Sequence, residues 1–364
     1  MRVVSPLLKK VVYPSLATAG FFRRIASGGL AVVTYHGVLP EGYEPVDSGF
    51  DGNLVTAQAL RSQLRLLKSK YSVISPEDFR GWIRGQRELP HRAVLLTCDD
   101  GLLNNLTDML PILREEALSC LFFVTGASAG EVRESLWYEE LFLIFFRAPE
   151  GIFEITCEGV SIHGRLGSRE ERRAVWWESV KRLSQVGYKI RKSFLNAAQL
   201  YFGLEAWQPC AGEKSASCRR FGLMTAPELR ALAAAGMTIG AHTISHPMLS
   251  QAPLELARAE ISESRTRLEA ALGERPWAFA YPFGDAQSVT PEVLKMPKDA
   301  DYEAVFMNFG GGLGSNLPTF AMPRIHVTTE MSLAEFEGHV SGFYGWLQRR
   351  AGRNSSVAVE IAQG

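Results

Sequence analysis

The chain has 364 residues, of which 46% are hydrophobic and 21% are charged, a composition typical of a globular protein with one large or two medium-sized domains. Lysine plus arginine and aspartate plus glutamate both number 39, so the formal net charge is zero, which argues against a dedicated nucleic-acid-binding protein. The five cysteines are widely spaced and form no CxxC pair, which argues against a disulfide framework or a zinc knuckle.

Residues 1–29 combine apolar and basic residues. The apolar part is interrupted by Pro14 and is too short to cross a bilayer, and the lysines that split it do not fit a signal peptide. One interpretation is a helix packed on the domain, and the other is a basic amphipathic helix that contacts a membrane surface. Together with the free cysteines, this predicts a cytoplasmic protein, with peripheral contact at the inner membrane face under the second interpretation.

The next part of the chain alternates predicted strands and helices. A β-type run over residues 30–37 predicts a first strand, helical spacing follows over 56–70, and the apolar run 93–97 predicts a buried strand. That strand leads into Asp99 and Asp100. Two adjacent carboxylates are costly to bury unless a cation or hydrogen bonds compensate them, and the alternative is a solvated turn.

A change of pattern marks an insertion. A helix over 104–118 and a strand over 120–126 continue the alternation, but residues from about 130 to 222 predict a mostly helical insertion with a small hairpin near 153–162. The alternation resumes with a helix capped by Thr225.

The remaining strands complete the predicted fold. They lie at 237–241, 277–280, 304–307 and 323–327. About seven strands alternate with helices, which predicts a distorted (β/α)7 barrel of the TIM type over residues 30–350, with 351–364 as a flexible tail.

A histidine pair follows one of these strands. His242 and His246 are four residues apart and can converge on one metal ion, with a carboxylate from another strand end as the third ligand of a catalytic site. The alternative is two surface histidines in a loop. Barrel enzymes carry their catalytic residues at the carboxyl ends of the strands. Polar clusters follow four predicted strands, at 99–100, 242–246, 281–285 and 324–326.

These motifs resemble those of polysaccharide deacetylases of the NodB-homology class, carbohydrate esterase family 4. Thr97-Cys98-Asp99-Asp100-Gly101 resembles the T-F-D-D-G motif, and His242-Thr243-Ile244-Ser245-His246 fits the H-[ST]-x-x-H motif. Ala280-Tyr281-Pro282-Phe283-Gly284 and Arg324-Ile325-His326 resemble the two later motifs, and Tyr35-His36-Gly37 is similar to the first strand of some bacterial members. The resemblance covers roughly residues 30 to 340 apart from the insertion.

The resemblance implies a hydrolytic metal site. Asp100, His242 and His246 would hold a divalent metal, foremost Zn²⁺, with Co²⁺, Ni²⁺ and Mn²⁺ as alternatives. Asp99 would be the general base and His326 the general acid.

The resemblance also implies substrate contacts. The backbone N–H of Phe283 would stabilise the oxyanion, and Tyr281 and Pro282 would line the sugar-binding groove. His36 is assigned either to substrate binding or to a satisfied position in the core.

Two departures from the family pattern bear on the site. Position 280 is alanine where many members carry an arginine that orients the base, and we expect Arg324 to supply that charge from a neighbouring strand end. The Asp-Trp motif is not recognisable, and residues 308–316 occupy its place.

The implied function is metal-dependent hydrolysis of N-acetyl or other N-acyl groups on amino sugars. The substrate would be a polysaccharide, an oligosaccharide or a lipid-linked glycan precursor, in exopolysaccharide or cell-wall biosynthesis. The alternatives are an O-acetyl esterase, a hydrolase of non-sugar amides with the same site, and a catalytically inactive barrel that binds glycan.

Overall fold

The structure is a computed structural model. It describes residues 7–25, 28–47, 50–204, 208–210, 212, 215–284, 287–310 and 317–350, so the predicted tail over 351–364 lies outside the described residues.

Ten strands are present in the described part of the chain. In chain order they are β1 Leu30–Tyr35, β2 Ser72–Ile74, β3 Ala93–Cys98, β4 Leu121–Val124, β5 Gly151–Cys157, β6 Val160–Leu166, β7 Thr238–Ala241, β8 Ala278–Ala280, β9 Ala304–Gly310 and β10 Met322–His326.

Fourteen α-helices accompany the strands. In chain order they are α1 Tyr13–Thr18, α2 Phe21–Ile25, α3 Ala57–Lys70, α4 Pro76–Ile83, α5 Leu110–Glu115, α6 Trp137–Arg147, α7 Arg169–Leu183, α8 Tyr188–Tyr201, α9 Ala216–Phe221, α10 Ala226–Ala234, α11 Leu254–Leu272, α12 Pro291–Asp299, α13 Leu333–Val340 and α14 Phe343–Arg350. A π-helical turn, Leu8–Val12, runs directly into α1.

Seven parallel strands close into a barrel. Their order is β1-β10-β9-β8-β7-β4-β3, and β3 pairs back with β1 from Leu30↔Ala93 to Tyr35↔Cys98. β2 pairs with the first half of β3, whereas β4 pairs with its last two residues. The predicted (β/α)7 barrel is therefore confirmed, and all of its strands end at one rim.

The apolar strand sequences follow from burial on both faces. In β1 and β3, Val33 and Leu96 belong to the core cluster that contains the surrounding helices, while Val32 and Leu95 belong to a second cluster with Phe123 in it. Because side chains alternate along a strand, the two clusters occupy the outer and inner faces of the barrel.

Capping residues fix several helix starts, including the one predicted at Thr225. The Thr56 hydroxyl accepts a hydrogen bond from the N–H of Ala59, and Ser75 and Thr225 each form a capping box. Helix α11 ends at Gly273, whose φ of 75° places it in the left-handed region.

The insertion lies between β4 and β7 and is mostly helical, with helices α6 to α9 and the β5–β6 hairpin. It has a hydrophobic cluster of its own that includes Trp137, Phe145, Phe153 and Phe194. Its two longest helices, α7 and α8, are separated by a turn of the chain.

The N-terminal helix packs on the barrel. The Tyr13 ring is buried against Gly338 of α13. The two pack so closely that a Cβ added at Gly338 would lie only 2.4 Å from Cε1 of Tyr13. Within the described residues, no helix is both long enough and apolar enough to cross a membrane.

Candidate active site

The polar clusters predicted at strand ends share one rim of the barrel. Asp99 and Asp100 follow β3, His242 follows β7, and His326 ends β10. Since the strands are parallel and hydrogen-bonded in a closed ring, these side chains converge at the carboxyl ends of the strands.

Asp100, His242 and His246 form one buried cluster. Oδ1 of Asp100 lies 3.7 Å from Nε2 of His242 and 3.3 Å from Nε2 of His246. One candidate ligand atom from each residue lies within 4.8 Å of the others, and all three residues are buried. A mixed imidazole and carboxylate set of this kind matches the ligands that zinc and similar divalent ions take in proteins.

The hydrogen bonding of the cluster fits a metal ion. Nδ1 of His242 lies 2.7 Å from the carbonyl oxygen of Ala280, so Nδ1 carries the proton and the Nε2 lone pair is available on the side of Asp100. Oδ1 of Asp100 is buried and has no hydrogen-bond partner among the described residues. An ionised oxygen in this state requires a cation to offset its desolvation.

The protonation states agree with this fit. Burial lowers the pKa of His242 to about 4, so its imidazole is neutral near pH 7. Burial raises the pKa of Asp100, but the close approach of the His246 ring, whose Nε2 lies 3.3 Å from Oδ1, together with His36 and His242, outweighs burial and holds that pKa well below its usual value. Neutral imidazoles and an ionised carboxylate are the forms that bind metal.

Backbone strain is concentrated at this rim. Asp100, Thr243, His246 and Phe283 have φ values of 77°, 63°, 57° and 60°, and they are four of the eight non-glycine residues with positive φ in the described chain. Each such residue costs about 1–3 kcal/mol and persists only where its surroundings fix it.

Gly101 explains the glycine of the first motif. Its φ is 77°, and a Cβ there would lie 3.0 Å from the Cβ of Val124. Any other residue would therefore be strained and would displace the strand that pairs beside the two aspartates.

The loop between the two histidines is held from outside the barrel. Oε2 of Glu260 on α11 accepts hydrogen bonds from the N–H groups of Ile244 and Ser245, each at 2.9 Å. Arg191 on α8 donates to Oε1 of Glu260 at 3.3 Å and to the hydroxyl of Ser245 at 2.8 Å. Both charged side chains are buried. The insertion thus takes part in fixing the histidine loop.

Sequence analysis did not identify Glu260 or Arg191 as part of the site. A signal for Glu260 was present, because Ala257, Ile261 and Leu268 define the buried face of α11 and Glu260 falls on the same face. A carboxylate at a buried helical position requires a partner, but the sequence does not say which one.

Aromatic rings cover His246 on its open side. The ring of Phe283 lies 4.9 Å from that of His246, and the ring of Tyr138 from the insertion lies at 4.8 Å. Trp177 packs edge-on against Phe283 at 5.7 Å. Tyr138, Trp177 and Phe283 are only partly buried, and together we call them the aromatic wall.

Arg324 reaches Asp99 through the barrel interior. Nη1 and Nη2 donate to the two carboxylate oxygens of Asp99, both at 2.6 Å, and the pair is almost fully buried. Nε of Arg324 donates to the carbonyl of Met307 at 2.9 Å, and Nη1 contacts the hydroxyls of Thr34 and Thr97 at 3.1 and 3.3 Å. Strands β1, β3, β9 and β10 therefore all hold this guanidinium in place.

The pair sets the charge of Asp99. Burial raises the pKa of Asp99, but the charge and hydrogen bonds of Arg324, together with His242, outweigh burial and leave that pKa below its ordinary value. Asp99 is accordingly ionised near neutral pH.

His326 and His36 lie side by side at the rim, with ring centroids 4.7 Å apart. Nε2 of His326 and Nδ1 of His36 are both buried without a hydrogen-bond partner in the described part of the chain. Burial, then the neighbouring His36, lower the pKa of His326 to about 3, so its imidazole is neutral in the resting site.

Two of the predicted substrate contacts are placed away from the open surface. Tyr281 is 1% exposed, packs in the outer core cluster and donates its hydroxyl to the carbonyl of Val293 at 3.3 Å. Its side chain therefore does not line a groove. Pro282 is also buried.

The place of the missing Asp-Trp motif is only partly described. Asn308 on β9 has a buried Oδ1 without a hydrogen-bond partner among the described residues, and 311–316 lie outside them.

Comparison with known proteins supports the resemblance. Residues 210–305 match the family model for polysaccharide deacetylase, which includes the histidine motif and the Ala280–Gly284 motif. The resemblance that the motifs indicated is thereby confirmed for this part of the chain. The enzymes of that family are hydrolytic deacetylases, in agreement with the predicted hydrolase class. No curated protein sequence matches the chain.

Solved structures share the fold at low identity. The deacetylase PplD of Streptococcus pyogenes, in complex with acetate, is 15% identical, with a TM-score of 0.53 over 86% of this chain and 99% of that one. IcaB from Ammonifex degensii is 17% identical, with a TM-score of 0.52 over 86% and 97% of the two chains. A de-N-acetylase from Aggregatibacter actinomycetemcomitans is 15% identical, with a TM-score of 0.50 over 85% and 99%.

Proposed function

Starting from the polysaccharide deacetylase match over residues 210–305, we propose that this chain is a metal-dependent N-deacetylase of amino sugars in a glycan. The observation that carries the proposal is that a three-residue metal-ligand cluster and an ionised carboxylate lie side by side at one rim. The ligand atoms of Asp100, His242 and His246 converge, and the neighbouring carboxylate of Asp99 is clamped by Arg324.

Asp100, His242 and His246 would hold the metal, with Zn²⁺ the best fit to two imidazoles and one carboxylate. When bound, a divalent ion of this kind polarises an acyl oxygen and acidifies water.

Asp99 acts as the general base in this proposal. Its carboxylate takes a proton from the water whose oxygen attacks the acyl carbon. Arg324 keeps Asp99 ionised and hydrogen-bonds to both of its carboxylate oxygens. The carboxylate is therefore held in one orientation before substrate binds. A positioned base of this kind contributes about 10²–10⁴-fold to the rate.

Phe283 acts while water attacks the acyl carbon, and His326 acts when the C–N bond breaks. The backbone N–H of Phe283 stabilises the developing oxyanion. The C–N bond then breaks, the nitrogen receives a proton through His326, and the products are acetate and a free amine. His326 is neutral at rest, so this role requires that it gain a proton once substrate is bound.

His36 is proposed as a contact for substrate. Its ring lies against His326, and its buried Nδ1 lacks a partner in the described chain, so a sugar hydroxyl at the rim can satisfy it.

The aromatic wall supports a sugar substrate. Partly exposed aromatic rings beside a polar reaction centre offer apolar faces against which a pyranose ring can pack. Whether the sugar belongs to a polymer, an oligosaccharide or a lipid-linked precursor is set by contacts beyond this wall.

Acetate release tests the proposal directly. The protein is incubated with N-acetylated chitooligosaccharides and, separately, with an O-acetylated xylan. We expect acetate from the N-acetylated substrate and a loss of about 10²–10⁴-fold for Asp99→Asn.

The matched control is Asp299→Asn, which changes an exposed aspartate at the end of α12 and leaves the rate unchanged. Release only from the O-acetylated substrate favours the esterase alternative. A normal rate for Asp99→Asn contradicts the assignment of the base.

A further inference from the structure

The two ends of the described chain pack together on one side of the barrel. Tyr13 of α1 lies under Gly338 of α13, and Lys9 lies 3.6 Å from Glu335 of the same helix. Phe21 of α2 contacts Phe343 of α14, with ring centroids 5.8 Å apart. We call the combined surface of the helical segment 7–18, α2 and α14 the terminal face.

This face exposes large apolar side chains. Leu7 is 63% exposed, Val11 is 52% exposed and Trp346 is 43% exposed. Leu7 and Val11 are one helical turn apart and point away from the side that carries the buried Tyr13. Exposed apolar residues that share one face can form an interaction surface.

The same face carries unpaired positive charge. The side chains of Lys10, Arg23 and Arg24 are exposed, and no carboxylate partner for them is found among the described residues. Arg350 lies over the ring of Trp346 at 4.9 Å, which places a further cation beside an exposed aromatic residue.

The charge asymmetry is strong at the level of sequence. Residues 1–40 contain five lysines and arginines and no acidic residue, and residues 338–359 contain three arginines and no acidic residue. Of the 39 basic residues, 31 (39 − 8) then remain in the rest of the chain with all 39 acidic ones, a balance of −8 (31 − 39). The two end segments thus carry a net charge of +8, and the rest of the chain carries −8.

The terminal face extends toward the catalytic rim. Helix α13 follows β10, so it begins near the rim that carries His326 and runs back along the barrel. Lys9 lies opposite Glu335 near the start of α13, and Tyr13 lies opposite Gly338 further along. The N-terminal helix therefore runs in the same direction as α13, and its exposed Leu7 lies toward the catalytic end.

We propose that the terminal face binds the surface of a bilayer that contains anionic lipid. Leu7, Val11 and Trp346 insert at the boundary between headgroups and acyl chains, while Lys10, Arg23 and Arg24 contact anionic headgroups. The face runs along the side of the barrel, from Leu7 near the catalytic rim to Arg23, whose carbonyl oxygen accepts a hydrogen bond from Arg92 just before β3. The proposal rests on surface geometry and charge and is independent of the proposed function.

Vesicle co-sedimentation of the full-length protein is the test. We expect binding to phosphatidylcholine vesicles that contain phosphatidylglycerol, little binding to phosphatidylcholine alone, and loss of binding as salt is raised. Each basic residue near such a surface is worth about five-fold in affinity, so R23E/R24E should weaken binding by at least about tenfold. L7N/V11N should weaken it as well.

Matched control variants distinguish binding through the terminal face from nonspecific binding to vesicles. R114E/R258E reverses two exposed arginines outside the terminal face, and I152N removes an exposed isoleucine of the insertion hairpin. Both should bind vesicles like the parent, and far-ultraviolet circular dichroism should show that all variants are folded.

Equal binding of R23E/R24E and the parent overturns the proposal. So does equal binding to vesicles with and without anionic lipid. Acetate release from a soluble oligosaccharide should be the same for R23E/R24E and the parent. An inactive parent that still binds vesicles refutes the proposed function alone.

Discussion

Arg324 and Asp99 form a two-pronged ion pair inside the barrel, with both hydrogen bonds at 2.6 Å. The arginine comes from β10 and the aspartate follows β3, so the pair joins two strands across the interior. Position 280, where many polysaccharide deacetylases carry an arginine, is a buried alanine whose carbonyl contacts His242. Arg324 therefore contacts Asp99 from β10, and its role in orienting Asp99 as the general base is part of the proposed function.

Replacing this arginine should impair both orientation and stability. Arg324→Lys keeps the charge but loses the planar fork, and we expect kcat/KM to fall by about 10²-fold. Arg324→Met leaves a buried aspartate unpaired and should cost about 3–5 kcal/mol of unfolding free energy. Because the pKa of Asp99 rises without Arg324, the acidic limb of the pH–rate profile should move to higher pH in Arg324→Met.

Arg265→Lys is the control for this pair. Arg265 is also buried, but it donates to carbonyls of the outer layer, including that of Pro276, away from the rim. The Arg265→Lys variant should have a lower free energy of unfolding than the parent, with little change in kcat/KM. An Arg324→Lys enzyme with parental kcat/KM would show that the fork has no part in catalysis.

Glu260 should control metal affinity without touching the metal. Glu260→Gln replaces a charged acceptor of two backbone N–H groups between His242 and His246, so the histidine loop loses its fixed shape. Changes of this kind weaken metal binding by about 10–100-fold. Competition with a chromophoric chelator measures the affinity. The control is Glu263→Gln, on the exposed face of the same helix, which should bind metal like the parent. Equal metal affinities of the Glu260→Gln and Glu263→Gln variants would show that Glu260 does not control metal affinity.

The aromatic wall should affect substrate binding more than chemistry. Trp177 contacts Phe283 but none of the proposed metal ligands, so Trp177→Ala removes apolar surface from the wall and leaves the rim intact. We expect KM for chitooligosaccharides to rise by about tenfold, with kcat within about twofold of the parent. Trp346→Ala, on the terminal face, is the control. A large fall in kcat with unchanged KM would exclude a role in sugar binding.

His339 should make stability depend on pH at the terminal face. Its ring stacks with those of Tyr344 and Tyr13, and burial, then the charge of Lys9, lower its pKa to about 4. The unfolded chain then binds more protons at this residue than the folded one. This contribution to stability is complete above the ordinary pKa of about 6.5 and is lost as pH falls toward 4.

Urea unfolding at acidic and neutral pH measures the effect. The unfolding free energy is higher at neutral than at acidic pH, and His339→Gln should reduce this difference by about 1 kcal/mol. Other buried histidines act in the same pH range, so the comparison between His339→Gln and the parent isolates this one. If His339→Gln and the parent show the same difference in unfolding free energy between the two pH values, His339 is solvated in the folded protein.

The motifs made the centre of the site predictable. Asp99, Asp100, His242 and His246 each lie at the end of an apolar strand, and strand periodicity is a local property of the sequence. A closed parallel barrel then brings all of these ends to one rim, whatever the details of packing. Thr56 and Gly273 marked helix ends in the same local way.

The supporting contacts were not predictable because they join distant segments. Arg191 and Glu260 are 69 residues apart and meet only when the insertion folds onto α11. Tyr138 covers His246 from the insertion, and the buried side chain of Tyr281 depends on which way its strand faces. None of these placements follows from periodicity or capping, because each is decided by tertiary packing.

The most direct test of the central claim is acetate release by metal-depleted protein as Zn²⁺ is added back. The claim predicts no release from N-acetylated chitooligosaccharides without metal and a rise that saturates at one Zn²⁺ per chain, since one set of ligands is formed by Asp100, His242 and His246. Release that is independent of added metal, or no release at any metal concentration, would contradict it.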